Sequence, residues 1–336
     1  MREYTLEDFD YELPEDRIAQ SGVEPRDAAR MLVVHRDGRP FEHRRVRDLP
    51  EYLREGDVLV LNRSRVIPAR LLARKPTGAR IEVLLVREEA PLVWLALLRP
   101  ARKAPPGTRL LFLEGEAEVV DVLEEGLRRL RFFADPWTLM ERAGRAPLPP
   151  YLRAEVPFER YQTIFAKTPG SVAAPTAGLH FTEALLARVR ERGVSVHELE
   201  LHVGPGTFRP VKGRIEEHRM HEEVYFIPEA TARAVNDALA EGRRVVAVGT
   251  TVVRALESAY GEEGVRPGEG RTRLFIRPPY AFRAVGALLT NFHLPRSTLL
   301  MLVAAFAGYE RTMAAYREAL LRGYRFYSLG DAMFID

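Results

Sequence analysis

The sequence predicts an α/β protein in two parts: a mostly parallel α/β/α sheet domain with a small β-barrel domain inserted into it. Three observations predict this. From about residue 152 onward, short apolar strands alternate with helical patterns, as in a parallel sheet covered on both faces. Between Asn62 and about Asp135 the texture is a succession of short apolar runs separated by turn signals, as in a small barrel or sandwich. Between these regions, PLPPY at 147–151 reads as a stiff connector. The expected domains are 1–61 with 151–336 for the α/β part and 62–150 for the barrel.

Taken in order, YELPEDRIAQ is an entry into structure and DVLVLN (57–62) a buried strand. Then come VIPARLLARK, ARIEVLLVRE, LVWLALLRP, TRLLFLE, AEVVDVL and LRRLRFF, punctuated at Thr77-Gly78, Pro105-Pro106-Gly107, Glu114-Gly115 and Glu125-Gly126. Trp137 to Ala143 reads as one short helix stopped by Gly144. Glu183 to Arg192 carries Leu185, Leu186 and Val189 at helical spacing, with Thr182 as N-cap and Gly193 where a C-terminal cap belongs. Val194 to Val203 alternates: Leu199, Leu201 and Val203 on one face, Glu198, Glu200 and His202 on the other. Glu229 to Glu241 is an alanine-rich helix, VVAV (245–248) a buried strand, and Val252 to Ala259 the helix after it. AVGALLT (284–290) is another strand. Thr298 to Ala307 is apolar all round and so reads as a buried helix.

The chain has 336 residues, 46% hydrophobic and 29% charged, with no cysteine. Disulfides, thiolate zinc sites and iron–sulfur clusters are therefore excluded. The N-terminal segment is acidic and lacks the apolar core of a signal peptide, and the apolar run 299–307 is too short to span a bilayer. A cytoplasmic protein without membrane attachment is the expectation. The net charge of +3 identifies no partner by itself, and of the 50 basic residues only Lys75, Lys103, Lys167 and Lys212 are lysine. Clustering is the informative feature. Arg63, Arg65, Arg70, Arg74, Lys75 and Arg80 stand in a stretch with no acid between Val58 and Ile81, which suits either a solvated face or a phosphate-backbone groove.

Three loops, PTAGLHFT, VGTTVVR and TNFHLPRST, read as strand-to-helix connections, and a fourth, HVGPGTF, leaves a strand. In a parallel sheet all four gather at the carboxyl edge, where such folds place their chemistry. They bring His180, His202 and His293 together, with Phe181, Phe208 and Phe292 beside them. Free N–H groups at the helix starts suit a carboxylate or phosphate. Arg254 and Glu257 lie one turn inside the site. No Gly-x-Gly-x-x-Gly fingerprint and no P-loop ending is present. His218 and His221 have helical ligand spacing but no well-spaced third ligand, so no metal is expected.

VAAPTAGLHFT, LHVGPGTFRPV, EEHRMHEE, VVAVGTTVVRALES, LLTNFHLPRSTLLMLVAAFAG and YRFYSLGDAMFI, with YELPEDRIAQ and LVLNRSRVIPARL upstream, closely resemble the S-adenosylmethionine:tRNA ribosyltransferase-isomerase family of queuosine biosynthesis. The resemblance covers nearly the whole chain and implies a β-barrel joined to an α/β domain. It further implies an enzyme that transfers and isomerises the ribosyl part of S-adenosylmethionine onto 7-aminomethyl-7-deazaguanine at the wobble position of a tRNA, giving epoxyqueuosine and releasing adenine and methionine. S-adenosylmethionine is then a substrate, and no prosthetic group is implied. The expected partner is the tRNA anticodon stem-loop, and a monomer is expected.

The sulfonium acidifies the ribose C5′ hydrogens, and adenine must be protonated as it leaves. His180, His202 and His293 are the catalytic candidates, with no assignment among them. Candidate S-adenosylmethionine contacts are Pro175, Thr176, Gly178, Phe181, Gly204, Gly206, Thr207, Phe208, Gly249, Thr250, Thr251, Arg254, Glu257, Asn291 and Phe292, with the phenylalanines available to stack on adenine or face the sulfonium. Candidate tRNA contacts are Arg63, Arg65, Arg70, Arg74 and Lys75. An S-adenosylmethionine-dependent RNA methyltransferase and a non-catalytic RNA-binding protein are the competing readings. The missing glycine fingerprint argues against the first, and the histidine loops are unexplained by the second.

Overall fold

A computed structural model describes residues 3–153, 156–204, 210–211 and 213–336. The chain divides into two compact units, Met1–Ser64 with Pro150–Thr168 and Ala174–Asp336, and Arg65–Pro149 with Pro169–Ala173.

The second unit is a closed antiparallel barrel. Its strands run around the wall in the order Leu127–Phe132, Val93–Arg99, Arg80–Ala90, Arg70–Arg74, Arg109–Leu111, Glu116–Val122. Period-2 alternation sends Leu71, Ala73, Ile81, Val83, Leu85, Trp94, Ala96, Leu110, Val119 and Leu130 inward, where all are buried. Closure leaves no edge strand with unpaired backbone groups. Outside, the charges pair across strands, as Arg129 does with Glu89 and Asp121. Helix α1 (Pro136–Ala143) starts on Asp135, whose carboxylate accepts the N–H groups of Trp137 and Thr138, and it stops at Gly144. A side chain at Gly144 would put its Cβ 2.1 Å from the Pro68 carbonyl oxygen, so only glycine fits there.

The first unit is built on a nine-stranded sheet. Its order is Gly268–Thr272, Glu223–Ile227, Ser195–Leu201, Val58–Asn62, Val245–Val248, Ala287–Asn291, Ala332–Ile335, Arg30–Val34, Glu42–Arg45. The four strands from Ser195–Leu201 to Ala287–Asn291 are mutually parallel. At both borders the pairing turns antiparallel, to Glu223–Ile227 on one side and Ala332–Ile335 on the other, while Arg30–Val34 runs parallel to Ala332–Ile335. The sheet is thus mixed around a parallel centre. Period alone does not distinguish strand direction, so the antiparallel flanks were not legible.

The central strands are buried throughout, which requires cover on both faces. Helix α2 (Glu183–Glu191) sets Leu185, Leu186 and Val189 against Leu59, Leu61, Val246, Val248 and Leu289. Its N-cap is Thr182, whose hydroxyl accepts the Leu185 N–H at 3.1 Å. Helices α3 (Glu229–Ala240) and α4 (Thr250–Ala259) both pack along the Val58–Asn62 and Val245–Val248 strands. Helix α5 (Thr298–Ala307) is the buried apolar helix expected, and Gly308, at φ 88°, turns the chain directly into α6 (Tyr309–Leu321).

One expected connection is different. PTAGLHFT does not follow a strand of the sheet. The residues before it, Pro169–Ala173, belong to the barrel unit, and Thr176–His180 is a 3-10 turn leading into α2. No described helix is long and apolar enough to cross a membrane.

Candidate active site

At the carboxyl edge of the parallel strands lies an open cleft of about 630 Å³, lined from unit one alone. Thr176 and Ala177 come from the 3-10 turn, Gly249, Thr250 and Thr251 from the start of α4, and Asn291 and His293 from the loop before α5. This is where an open α/β sheet presents a ligand site. Gly249 takes φ 93°, and no side chain caps α4. The first N–H groups of α4 therefore face the cleft, next to the hydroxyls of Thr250 and Thr251.

Hydrogen bonds fix this lining. Asn62, buried at the end of the central strand, donates through Nδ2 to the Leu201 carbonyl at 3.0 Å and to Thr251 Oγ1 at 3.2 Å. Thr176 donates to Asn291 Oδ1 at 3.0 Å, and Asn291 Nδ2 donates to the Tyr327 carbonyl at 3.1 Å. His293 is 9% exposed. Its backbone N–H donates to the Tyr316 hydroxyl at 2.9 Å, its Nε2 lies 3.3 Å from Thr290 Oγ1, and its carbonyl accepts from the Tyr11 hydroxyl. Burial pushes the His293 pKa down to about 3, so the ring is neutral near pH 7.

Of the residues singled out from sequence, Pro175, Thr176, Gly249, Thr250, Thr251, Asn291, Phe292 and His293 line this cleft. Phe292 does so without offering its ring, which is fully buried among Tyr316, Tyr324 and Phe326. Phe181 is likewise fully buried, in the sheet core edge-on to Phe165. Neither ring is available to a ligand. Gly178 packs under Phe165 and Thr163, where a Cβ would come within 2.8 Å of the ring. Gly206, Thr207 and Phe208 lie outside the described residues.

The three histidines do not converge. His180 lines a separate pocket with Arg26 and Arg160, and its ring nitrogens face the carbonyls of Ala177 at 3.1 Å and Gly330 at 3.0 Å. Burial lowers its pKa, while those two carbonyls act in the opposite direction. His202 stands just past the Ser195–Leu201 strand, as alternation required, with its backbone N–H on the Val224 carbonyl. Burial lowers its pKa, and the nearby Glu200 and Glu269 carboxylates oppose that.

Glu257 is committed to the protein, and Arg254 largely so, its Nη2 being buried without a hydrogen-bond partner among the described residues. Arg254 pairs with buried Glu223 and donates through Nε to the Leu274 carbonyl at 3.1 Å. Glu223 in turn accepts the Gly204 N–H at 3.0 Å, so the pair anchors the strand exit at Gly204. Glu257 accepts the backbone N–H groups of Arg283, Ala284 and Val285. Three amides on one carboxylate make a structural clamp, leaving little for a ligand.

The basic cluster divides. Arg63 is neutralised by Glu200, at 2.7 Å, and by Glu198, two acids distant in sequence. Arg65 also has interactions within the protein. Arg70, Arg74 and Lys75 line an open groove of about 1740 Å³ on the barrel unit, joined by Arg142 and Arg145 at the end of α1. Glu82 is the one carboxylate in that lining. Leu72, Leu111 and Leu113 are exposed along it. Sequence reasoning missed Arg142 and Arg145 because they are about 70 residues from Arg70 and meet it only where the chain after α1 bridges back to the Arg70–Arg74 strand. It also missed Asn62, Tyr151, Ser297 and Tyr327, of which Tyr151 sits inside the PLPPY connector. Among the described residues no group of three or more His, Asp or Glu is placed to hold a metal ion.

Comparison with known proteins adds an independent line. The family described as queuosine biosynthesis protein matches residues 6–335. An S-adenosylmethionine:tRNA ribosyltransferase-isomerase from Thermus thermophilus is 67% identical over 342 residues, covering 98% of this chain and 99% of that protein. One of the same name from Thermotoga maritima is 54% identical over 332 residues, with 98% and 99% covered. A crystal structure of an S-adenosylmethionine tRNA ribosyltransferase from Thermotoga maritima, 44% identical, matches with a TM-score of 0.58 over 98% of this chain and 100% of that one.

Proposed function

The chain belongs to the queuosine biosynthesis family, and we propose that, as an S-adenosylmethionine:tRNA ribosyltransferase-isomerase, it acts on 7-aminomethyl-7-deazaguanine at the wobble position of a tRNA. It transfers and isomerises the ribosyl moiety of S-adenosylmethionine onto the aminomethyl group, leaving epoxyqueuosine in the tRNA and releasing adenine and methionine.

The observation that carries this reading is the cleft at the sheet's carboxyl edge, where an uncapped helix start and an uncharged histidine face the same space. The methionine carboxylate suits the N–H groups at Gly249–Thr251, where the helix dipole favours a negative charge. Thr176 and Asn291, which line the cleft, are the groups that would orient the ribose hydroxyls. The reaction removes a proton from C5′ and delivers one to adenine. Burial keeps the His293 ring uncharged, so it meets the substrate as a neutral hydrogen-bonding group and is a weak base for the C5′ proton. The barrel groove is lined by Arg70, Arg74, Lys75, Arg142 and Arg145, of which Arg70 pairs with Glu82 and Arg142 with Glu114, and it offers cations to a phosphate backbone.

The test is an incubation with tRNA carrying the aminomethyl-deazaguanine base and two forms of S-adenosylmethionine, labelled in the ribose or in the methyl group. Ribose label in the tRNA, with free adenine and methionine, is expected. Methyl label in the tRNA would make the protein a methyltransferase, and no label from folded, tRNA-binding protein would make it a binding module.

A further inference from the structure

Tyr327 lines the cleft in a backbone conformation that tyrosine rarely adopts, at φ 73°. Such strain persists only where the surroundings over-determine it. Here the Tyr327 N–H donates to the Phe292 carbonyl at 3.1 Å, and its carbonyl accepts both Asn291 Nδ2 and the Gly330 N–H. Behind it, buried Asp331 accepts the backbone N–H groups of Arg325 and Arg30, and His180 lies against the Gly330 carbonyl. Glycine or asparagine would satisfy the same turn with less strain. The ring is what the strained turn supports.

That ring packs on Tyr151, centroids 4.6 Å apart at 38°, and the Tyr151 hydroxyl bonds to Ser328 in the same turn. Among the described residues the Tyr327 hydroxyl has no hydrogen-bond partner, and burial raises its pKa, so it stays a neutral donor and acceptor. Phe292, the other aromatic residue of the lining, keeps its ring in the core. Tyr327 is 7% exposed and Phe292 not at all, so a purine-like ligand entering the cleft meets the two tyrosines and, beside them, the smaller His293 ring.

We propose that Tyr327 and Tyr151 form the wall against which a purine-type base stacks during the reaction, with the Tyr327 turn as its positioning device. The proposal rests on the ribosyl-transfer reading, and the base is either the adenine of S-adenosylmethionine or the deazaguanine of the tRNA. His180 then acts from behind the wall by holding Gly330.

The experiment compares Tyr327→Gly, Tyr327→Phe and Tyr151→Leu with the wild type. It measures S-adenosylmethionine affinity by calorimetry, KM for substrate tRNA, and thermal midpoint. Tyr327→Gly relieves the strained φ but removes a buried ring packed on Tyr151, so its midpoint should fall, and affinities are read at a temperature where the variant is folded. There it should weaken one substrate by about tenfold or more, the usual worth of a base–aromatic stack. Tyr151→Leu should weaken the same substrate, and Tyr327→Phe should retain its affinity. Loss confined to S-adenosylmethionine identifies adenine, and a raised KM for tRNA alone identifies the deazaguanine. Wild-type affinity and KM in a folded Tyr327→Gly protein would overturn the wall. Wild-type protein that binds S-adenosylmethionine but transfers no ribose would overturn the functional reading, while the variant's affinity still judges the wall.

Discussion

Replacing His293 with glutamine should make the sheet unit less sensitive to acid, by an amount the structure allows one to work out. The His293 pKa is about 3 in the folded protein against 6.5 for a free histidine, because burial penalises the charged ring. Between those values the unfolded chain binds a proton that the folded chain does not, so stability falls as pH falls. At about pH 5 the unfolded histidine has gained roughly 1.5 pH units of protonation free energy at about 1.4 kcal/mol each, a loss of about 2 kcal/mol. His180, His197 and His202 have pKa values lowered in the same direction, but their contributions cancel between wild type and variant. Both tryptophans, Trp94 and Trp137, belong to the barrel unit, so their fluorescence would report the wrong transition. Guanidinium unfolding followed by tyrosine near-UV circular dichroism, at about pH 7.5 and about pH 5, is the suitable assay. The wild type should lose about 2 kcal/mol more than His293→Gln between the two conditions. Equal losses would mean that the folded ring titrates normally and is not desolvated.

Arg254→Met should destabilise the sheet unit by roughly 3–5 kcal/mol, since it strands buried Glu223 without its partner; denaturant melts of the variant check this. Glu257→Gln should cost about 1–3 kcal/mol through the Arg283–Val285 amides and leave S-adenosylmethionine affinity unchanged, whereas a ligand role would show first in calorimetry. Gly249→Ala has room for its methyl, with the nearest atom 3.5 Å away, but a φ of 93° should cost about 1–2 kcal/mol and weaken S-adenosylmethionine binding by displacing the start of α4. Arg74→Ala with Arg145→Ala should reduce the salt dependence of tRNA binding by about 0.9 in log–log slope for each phosphate left without its arginine, with S-adenosylmethionine affinity untouched. An unchanged slope would leave the barrel groove a solvated face.

What the sequence revealed and what it withheld divide along a physical line. Alternation and capping are local, so the barrel runs, the Thr182 cap, the buried α5 and the strand-end position of His202 were all readable from spacing. Partners distant in the chain were not. Arg63 looked uncompensated because no acid lies near it in sequence, yet Glu198 and Glu200 reach it through parallel pairing of their strand with Val58–Asn62. Phe181 and Phe292 looked like stacking groups because they adjoin histidines, but adjacency does not fix which side of a turn a ring takes. Here the core claimed both. The same reasoning explains why the tyrosine wall was missed. Tyr151 and Tyr327 are separated by most of the sheet unit's sequence, and what unites them is a left-handed residue that no pattern of apolar spacing encodes. Since the local rules favour glycine at that position, the conflict between rule and residue is itself the signal. It points to the one place in the cleft where a side chain was kept at the expense of the backbone.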